Sequence, residues 1–148
     1  MANAEQYLRI EIAGTHYLLP SNASLAIEQR HNLEVNEKSG DPVSAWRVVR
    51  SVRWPAYAMD ADLNVTATDD WERAVFLDAR PVPVGLVANE IQLLPRTDLV
   101  VEPFTPLGQP PVAAGPLFNG AWISEKSALL VFEPKALTAW LQSFGGAQ

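Results

Sequence analysis

Apolar and polar residues alternate along the first part of the chain with the two-residue period of a half-buried strand. In Tyr7-Leu8-Arg9-Ile10-Glu11-Ile12 the aliphatic side chains at 8, 10 and 12 share one face, and Arg9 and Glu11 share the other. Ala13-Gly14-Thr15-His16 then reads as a turn and Tyr17-Leu18-Leu19 as a return strand, which predicts a hairpin. Three later runs, at 74–77, 82–88 and 128–132, are continuously apolar and rich in Val, Leu and Phe. They are too short for helices and predict well-buried strands.

Helical signals are few. Ser21-Asn22-Ala23-Ser24 supplies N-cap residue types ahead of Leu25-Ala26-Ile27-Glu28-Gln29-Arg30, which predicts about two turns of helix there. Pro134 suits the first turn of a second helix. Leu137, Trp140 and Leu141 follow at i, i+3 and i+4 on one face, and Gly145-Gly146 should end the element. Asn36 to Val43 is a polar loop. Five prolines and three glycines between 103 and 120 predict an extended connection. The fold class expected from this pattern is all-β, mainly strands with one or two short helices, in a barrel architecture.

The chain has 148 residues, enough for one globular domain or two small lobes that share a core. It contains no cysteine, which excludes a disulfide framework, thiolate catalysis and cysteine-based metal centres. Its net charge of −6 disfavours general nucleic-acid binding. The opening Met1-Ala2-Asn3-Ala4-Glu5-Gln6 lacks the basic start and apolar core of a signal peptide, and no apolar run approaches the length of a membrane span. The expectation is a cytoplasmic protein without direct membrane insertion.

Candidate chemistry is sparse. Asp60-Ala61-Asp62-Leu63-Asn64 opens like a calcium loop, but Val65 stands where the sharp turn needs Gly and Trp71 where the bidentate Glu belongs. It is read as a solvated turn, and no metal is expected. His16, in the predicted turn, and His31, just past the predicted short helix, lie in no metal-binding or catalytic spacing. Both are read as surface residues. Arg47, Arg50 and Arg53 recur every third residue between Trp46 and Trp54, as a protein-contact patch or as arginines paired with local carboxylates. No phosphate-cradling loop and no cofactor site is present, and the chain is expected not to be an enzyme.

Taken in order, the pieces resemble the CheW-like domain of bacterial chemosensory systems. The resemblance rests on Tyr7 to Ile12, Gly14 and Tyr17-Leu18-Leu19-Pro20 at the start. It continues through Leu25 and Ile27, then Val48-Val49-Arg50-Ser51 at the family's N-L-R-G motif, followed by Val52 to Asp60. In the second half it rests on Val84-Gly85-Leu86-Val87-Ala88-Asn89-Glu90-Ile91, on Gly120 to Ile123, on Ala128 to Phe132 and on Pro134 to Leu137. Of N-L-R-G only Arg50 is kept, and Asn89 replaces the usual Asp.

The resemblance implies two small SH3-like five-stranded β-barrels packed side by side within one domain, 1–148, with the lobe switch near 70–75. It implies a non-catalytic adaptor that couples a chemoreceptor cytoplasmic tip to the regulatory domain of a CheA-type histidine kinase, in chemotaxis or type IV pilus motility. Arg50, Trp46, Trp54 and Tyr57 are the partner-binding candidates, with Trp71 a further possible anchor, because aromatic residues and Arg dominate interface hot spots. Two other readings stand beside it. One is a divergent member with exchanged partners, which the altered N-L-R-G motif favours. The other is a small ligand-binding or hydrolytic barrel using His16 or His31.

Overall fold

A computed structural model of the chain describes residues 6–38, 40–94, 101–103, 117–123 and 128–144. In chain order the strands are β1 (Tyr7–Ile12), β2 (Thr15–Pro20), β3 (Ser24–Gln29), β4 (Glu34–Val35), β5 (Val43–Val49), β6 (Val52–Met59) and β7 (Val65–Thr66). β8 (Arg73–Leu77), β9 (Val84–Ala88), β10 (Glu90–Leu93), β11 (Val101–Pro103), β12 (Phe118–Ile123) and β13 (Ala128–Phe132) follow, and then helix α1 (Pro134–Phe144). The all-β class read from the alternation is the class observed.

The strands form two curled sheets. The first runs β10-β1-β2-β13-β12-β11, and the second runs β3-β8-β9-β6-β5-β4 with β7 added on β6. Among the described residues the sheets thus hold six and seven strands rather than five each, because short pieces add to them: three-residue β11 at an edge of the first, two-residue β4 at an edge of the second, and two-residue β7 on β6. The chain leaves the first sheet after Pro20 and returns to it at Glu90. Residues 70–75, where a lobe switch was expected, instead lead into β8 inside the second sheet. A hairpin-rich sequence does not reveal which strands pair across 60 or more residues.

The β1–β2 hairpin forms where predicted. Ala13 and Gly14 both have positive φ, 50° and 83°, the geometry of a two-residue turn whose twist matches the strands.

β8 and β9 explain the continuous apolar runs. Val75, Leu77, Val84, Leu86 and Ala88 face a core between the two sheets, together with Leu8, Ile10, Ile12, Tyr17 and Leu19 of the first sheet. Ala74, Phe76 and Val87 face the other way, into a second core inside the curl of their own sheet with Ala45, Ala56, Ala58 and Trp71. A strand buried on both faces has no place for polar residues, so its period-2 signal disappears. Tyr7, Leu18 and Val131 form a smaller counterpart inside the first sheet.

The inner core of the second sheet is built on small residues. Ala26, Phe76, Gly85, Ala56 and Ala45 lie side by side across β3, β8, β9, β6 and β5. A tightly curled sheet leaves little space along this row, and the Phe76 ring occupies it. A Cβ on Gly85 would sit 2.6 Å from Cε1 and 2.8 Å from Cδ1 of Phe76.

The helix predicted over 25–30 is strand β3. Ser21–Ala23 forms a short 3-10 turn without any side-chain cap bond, and the chain then extends. Antiparallel pairing with β8 places Ala26 and Glu28 inward and leaves Leu25 and Ile27 exposed on the outer side of an edge strand. The tertiary partner overrides a local helical signal only two turns long.

The C-terminal helix forms as predicted from Pro134. Leu137 and Leu141 are fully buried in the inter-sheet core. Half-buried Trp140 packs against that core and donates from Nε1 to the Leu63 carbonyl oxygen at 2.7 Å. Glu133 Oε1 accepts from the Ala136 amide at 3.0 Å and caps the first turn. Gly145-Gly146 lies outside the described residues, as does most of the proline-rich 103–120 stretch. Its two ends are described: Pro103 ends β11 and Phe118 begins β12, paired antiparallel.

Candidate functional site

The β5–β6 hairpin brings most of the sequence candidates together. Its register pairs Trp46 with Pro55, Arg47 with Trp54, Val48 with Arg53 and Val49 with Val52, and the turn is Arg50-Ser51. Alternation therefore puts Arg47 and Trp54 on one face, and Trp46, Val48 and Arg53 on the other.

Each face carries an arginine held between an indole and a carboxylate. Arg47 Nε donates to Glu28 Oε2 at 2.8 Å, and its guanidinium lies 4.9 Å from the Trp54 ring centroid. Arg53 Nη2 donates to Glu34 Oε2 at 2.9 Å, with the guanidinium 4.6 Å from the Trp46 ring. The first assembly is largely enclosed, the Arg47 and Glu28 side chains being 27% and 23% exposed. The second is open to solvent. Glu28 and Glu34 are residues that sequence reasoning missed. They lie 19 positions upstream of their arginines, and nothing local signals the pairing.

Arg47 and Arg53 are thus paired with carboxylates, from other strands rather than from the local sequence expected, whereas Arg50 is not. Arg50 is exposed at the turn and, among the described residues, makes no hydrogen bond or ion pair. Trp46 and Trp54 are half-buried at the base of the hairpin, and the Trp54 ring lies 6.0 Å from that of Phe76.

The other two aromatic candidates lie elsewhere. Tyr57 is 3% exposed and sits in the inter-sheet core, and Trp71 is 2% exposed in the inner core. Neither offers area to a partner docking on the folded surface, which corrects their assignment as contact residues. The sequence shows that a residue is aromatic, while its depth depends on which sheet covers it. Burial pushes the Tyr57 phenol above its ordinary value of 10.0, and the Asp41 charge adds to the effect. Burial likewise raises Tyr17, partly offset by the Thr15 side chain.

The two histidines are far apart in role and place. His16 stands on β2, half-buried rather than in a turn, and its Nδ1 accepts from Arg9 Nε at 3.2 Å. His31 is exposed in the short 3-10 segment Arg30–Asn32. It borders an open depression of about 400 Å³ whose lining includes Glu72. No hydrogen bond joins either histidine to a carboxylate among the described residues.

Asp60 closes the turn read from its sequence, its Oδ1 accepting from the amides of Asp62 at 2.9 Å and Asn64 at 3.0 Å. The 36–43 loop is tied in the same local way, with Asn36 Nδ2 donating to the Val43 carbonyl and Asp41 Oδ1 accepting from the Val43 amide. Hydrogen bonds from that amide and from Asn36 hold the Asp41 carboxyl below its ordinary value, and Lys38 adds to the effect. No helix among the described residues is long and apolar enough to cross a membrane.

No family model and no curated protein matches the sequence. Among solved structures, the chain is similar to the crystal structure of the scaffolding protein TtCheW from Thermoanaerobacter tengcongensis. The two share 13% identity over 87% of this chain and 88% of that one, with a TM-score of 0.57. At that identity the likeness concerns backbone architecture, and it extends across nearly all of both chains. Paired curled sheets, an apolar layer between them and a terminal helix sealing that layer therefore give this chain a CheW-like fold.

Proposed function

We propose that the chain is a non-catalytic adaptor that couples chemoreceptors to a CheA-type histidine kinase in a bacterial chemosensory pathway, serving chemotaxis or type IV pilus motility. The observation that carries this reading is the near end-to-end likeness to a scaffolding protein. The composition of the hairpin supports it. Exposed Arg50 and half-buried Trp46 and Trp54 are the residue types that dominate protein interfaces. The adaptor works in the cytoplasm, needs no cofactor, and engages the receptor tip and the kinase regulatory domain through separate surfaces.

Calorimetric titration of the intact protein with the kinase regulatory domain and with a receptor-tip fragment from the same organism tests the proposal. Saturable binding to both, and a ternary complex on gel filtration, is the expected result. Binding to neither refutes it. Val48 and Ser51, standing where the N-L-R-G motif has Asn and Gly, favour a second reading in which the same scaffold serves exchanged partners. In that case a pulldown from native extract recovers proteins other than a receptor and a histidine kinase.

A further inference from the structure

Away from the hairpin, Arg30 is held in place with half of its guanidinium unused. Its amide donates to the Glu72 carbonyl oxygen at 2.8 Å, and Nη1 donates to the carbonyl oxygens of Asp69 and Trp71. The guanidinium lies 4.5 Å from the centroid of the buried Trp71 ring. Both side-chain hydrogen bonds leave from Nη1. Nε and Nη2, whose N–H groups lie parallel along another edge, make no hydrogen bond among the described residues. Asp69 Oδ1 stands 3.8 Å from Nη2, beyond hydrogen-bond distance, on a side chain that is 98% exposed. The Nε–Nη2 edge is the fork that takes a carboxylate bidentately. Two carbonyls and an indole already fix its position, so filling it costs little further ordering.

Arg30 and Val35 line two open depressions, of about 400 and 590 Å³. Charge separates the two. The larger sets Glu37, Asp41 and Asp69 against Arg30 and Lys38, and it repels an anion. The smaller lies beside the end of β3 and the start of β8. It gathers Arg30, Arg73 and His31 against Glu72 alone, with Leu33 and Val35 as its apolar lining. Arg73 is half-buried in register with Gln29, and its side chain makes no hydrogen bond or ion pair among the described residues. Two guanidinium groups against one carboxylate leave a local positive excess in a chain of net charge −6.

We propose that the smaller depression binds a small organic monoanion, a carboxylate on a short aliphatic body. The carboxylate takes the Nε–Nη2 fork of Arg30, Arg73 supplies the second positive charge, and the body rests on Leu33 and Val35. A volume of about 400 Å³ with an apolar wall and a few polar groups suits a ligand of that size. Glu72 sets the charge. On the same rim it repels a second negative charge, so the site selects a carboxylate over a phosphate dianion. The proposal stands apart from the adaptor reading and from the β5–β6 hairpin.

The test follows amide and arginine Nε resonances of the intact protein, labelled with nitrogen-15, as sodium isovalerate, neutral isovaleramide or inorganic phosphate is added at constant ionic strength. Isovalerate should give saturable shifts at residues 29–35 and 72–73 and at Arg30 Nε, and isovaleramide should give none. Phosphate should bind about tenfold more weakly than isovalerate. Arg30→Lys keeps the charge and removes the fork, and it should weaken isovalerate about tenfold or more. Because Arg30 also ties the chain to Asp69 and Trp71, a second variant carries the test if this one melts early. Arg73→Gln should weaken isovalerate about tenfold with little change in melting temperature, and Glu72→Gln should tighten phosphate by a similar factor. No saturation with wild type, equal shifts from isovaleramide, or full affinity in Arg73→Gln overturns the site. Phosphate binding as tightly as isovalerate overturns its assignment to a carboxylate. Each of these results leaves the adaptor reading standing, since that reading is tested by the titrations with protein partners.

Discussion

Gly85→Ala tests the packing inside the curl of the second sheet. The added methyl would lie 2.6 Å from Cε1 and 2.8 Å from Cδ1 of Phe76, and 3.0 Å from the Ala56 Cβ. Phe76 is fully buried and has Trp54 against it, so its ring has nowhere to swing. Overpacking of this kind costs about 1–3 kcal/mol. The backbone gains about 0.4–1 kcal/mol from a less flexible unfolded chain, because Gly85 does not occupy the left-handed region. A net loss of about 1–2 kcal/mol is expected, which lowers the melting temperature by roughly 3–8 °C in a chain of this size. Urea denaturation followed by tryptophan fluorescence should show a lower midpoint with an unchanged slope. The decisive control is Phe76→Leu. In that background the methyl meets no rigid ring edge, and Gly85→Ala should cost nothing, a coupling of about 1 kcal/mol or more between the two sites. An equal cost in both backgrounds, or no cost in wild type, would refute the account.

Other expectations follow from single contacts. Among the described residues the buried Ser44 hydroxyl has no hydrogen-bond partner, so Ser44→Ala should leave stability unchanged or raise it by about 1 kcal/mol in the same urea assay; a loss of that size would refute this reading. Glu28→Gln should cost about 1 kcal/mol because its partner is enclosed and stacked, whereas Glu34→Gln on the open face should cost under about 0.5. The reverse order would show that the enclosed pair is not the stronger brace. Tyr17 and Tyr57 keep their protons above the ordinary value of 10.0 in the folded protein. Their contribution to stability is therefore complete below about pH 10 and declines as pH rises from there toward their folded values. An alkaline titration at 295 nm should find both phenols ionising late, in step with loss of structure, and early reversible ionisation of either would contradict their burial.

Local geometry was legible in the sequence wherever the partner of a residue lay a few positions away. The first hairpin needs only a two-residue turn between alternating strands. The Asp60 turn closes over its own next four residues. Helix α1 needs only its proline start and the stripe at Leu137, Trp140 and Leu141. The continuous runs in β8 and β9 announced double burial, and the ordered set of segments carried the likeness to a CheW-like fold.

Tertiary structure decided everything that depended on a distant strand. Residues 25–30 carry Leu, Ala and Ile in a row, which fits a short helix and a strand equally, and only pairing with β8 selects the strand. The same holds for the tryptophans and tyrosines near the candidate site. Trp46 and Trp54 keep a share of solvent because they flank a ribbon that leaves the sheet, while Tyr57, three residues further along β6, lies under the opposite sheet. Arg47, Arg50 and Arg53 are alike in sequence and separate only when Glu28 and Glu34 arrive from other strands to claim two of them. The period of a chain fixes which side of an element is apolar. What covers that side is set by contacts between residues far apart in sequence, whose pairing no local pattern encodes.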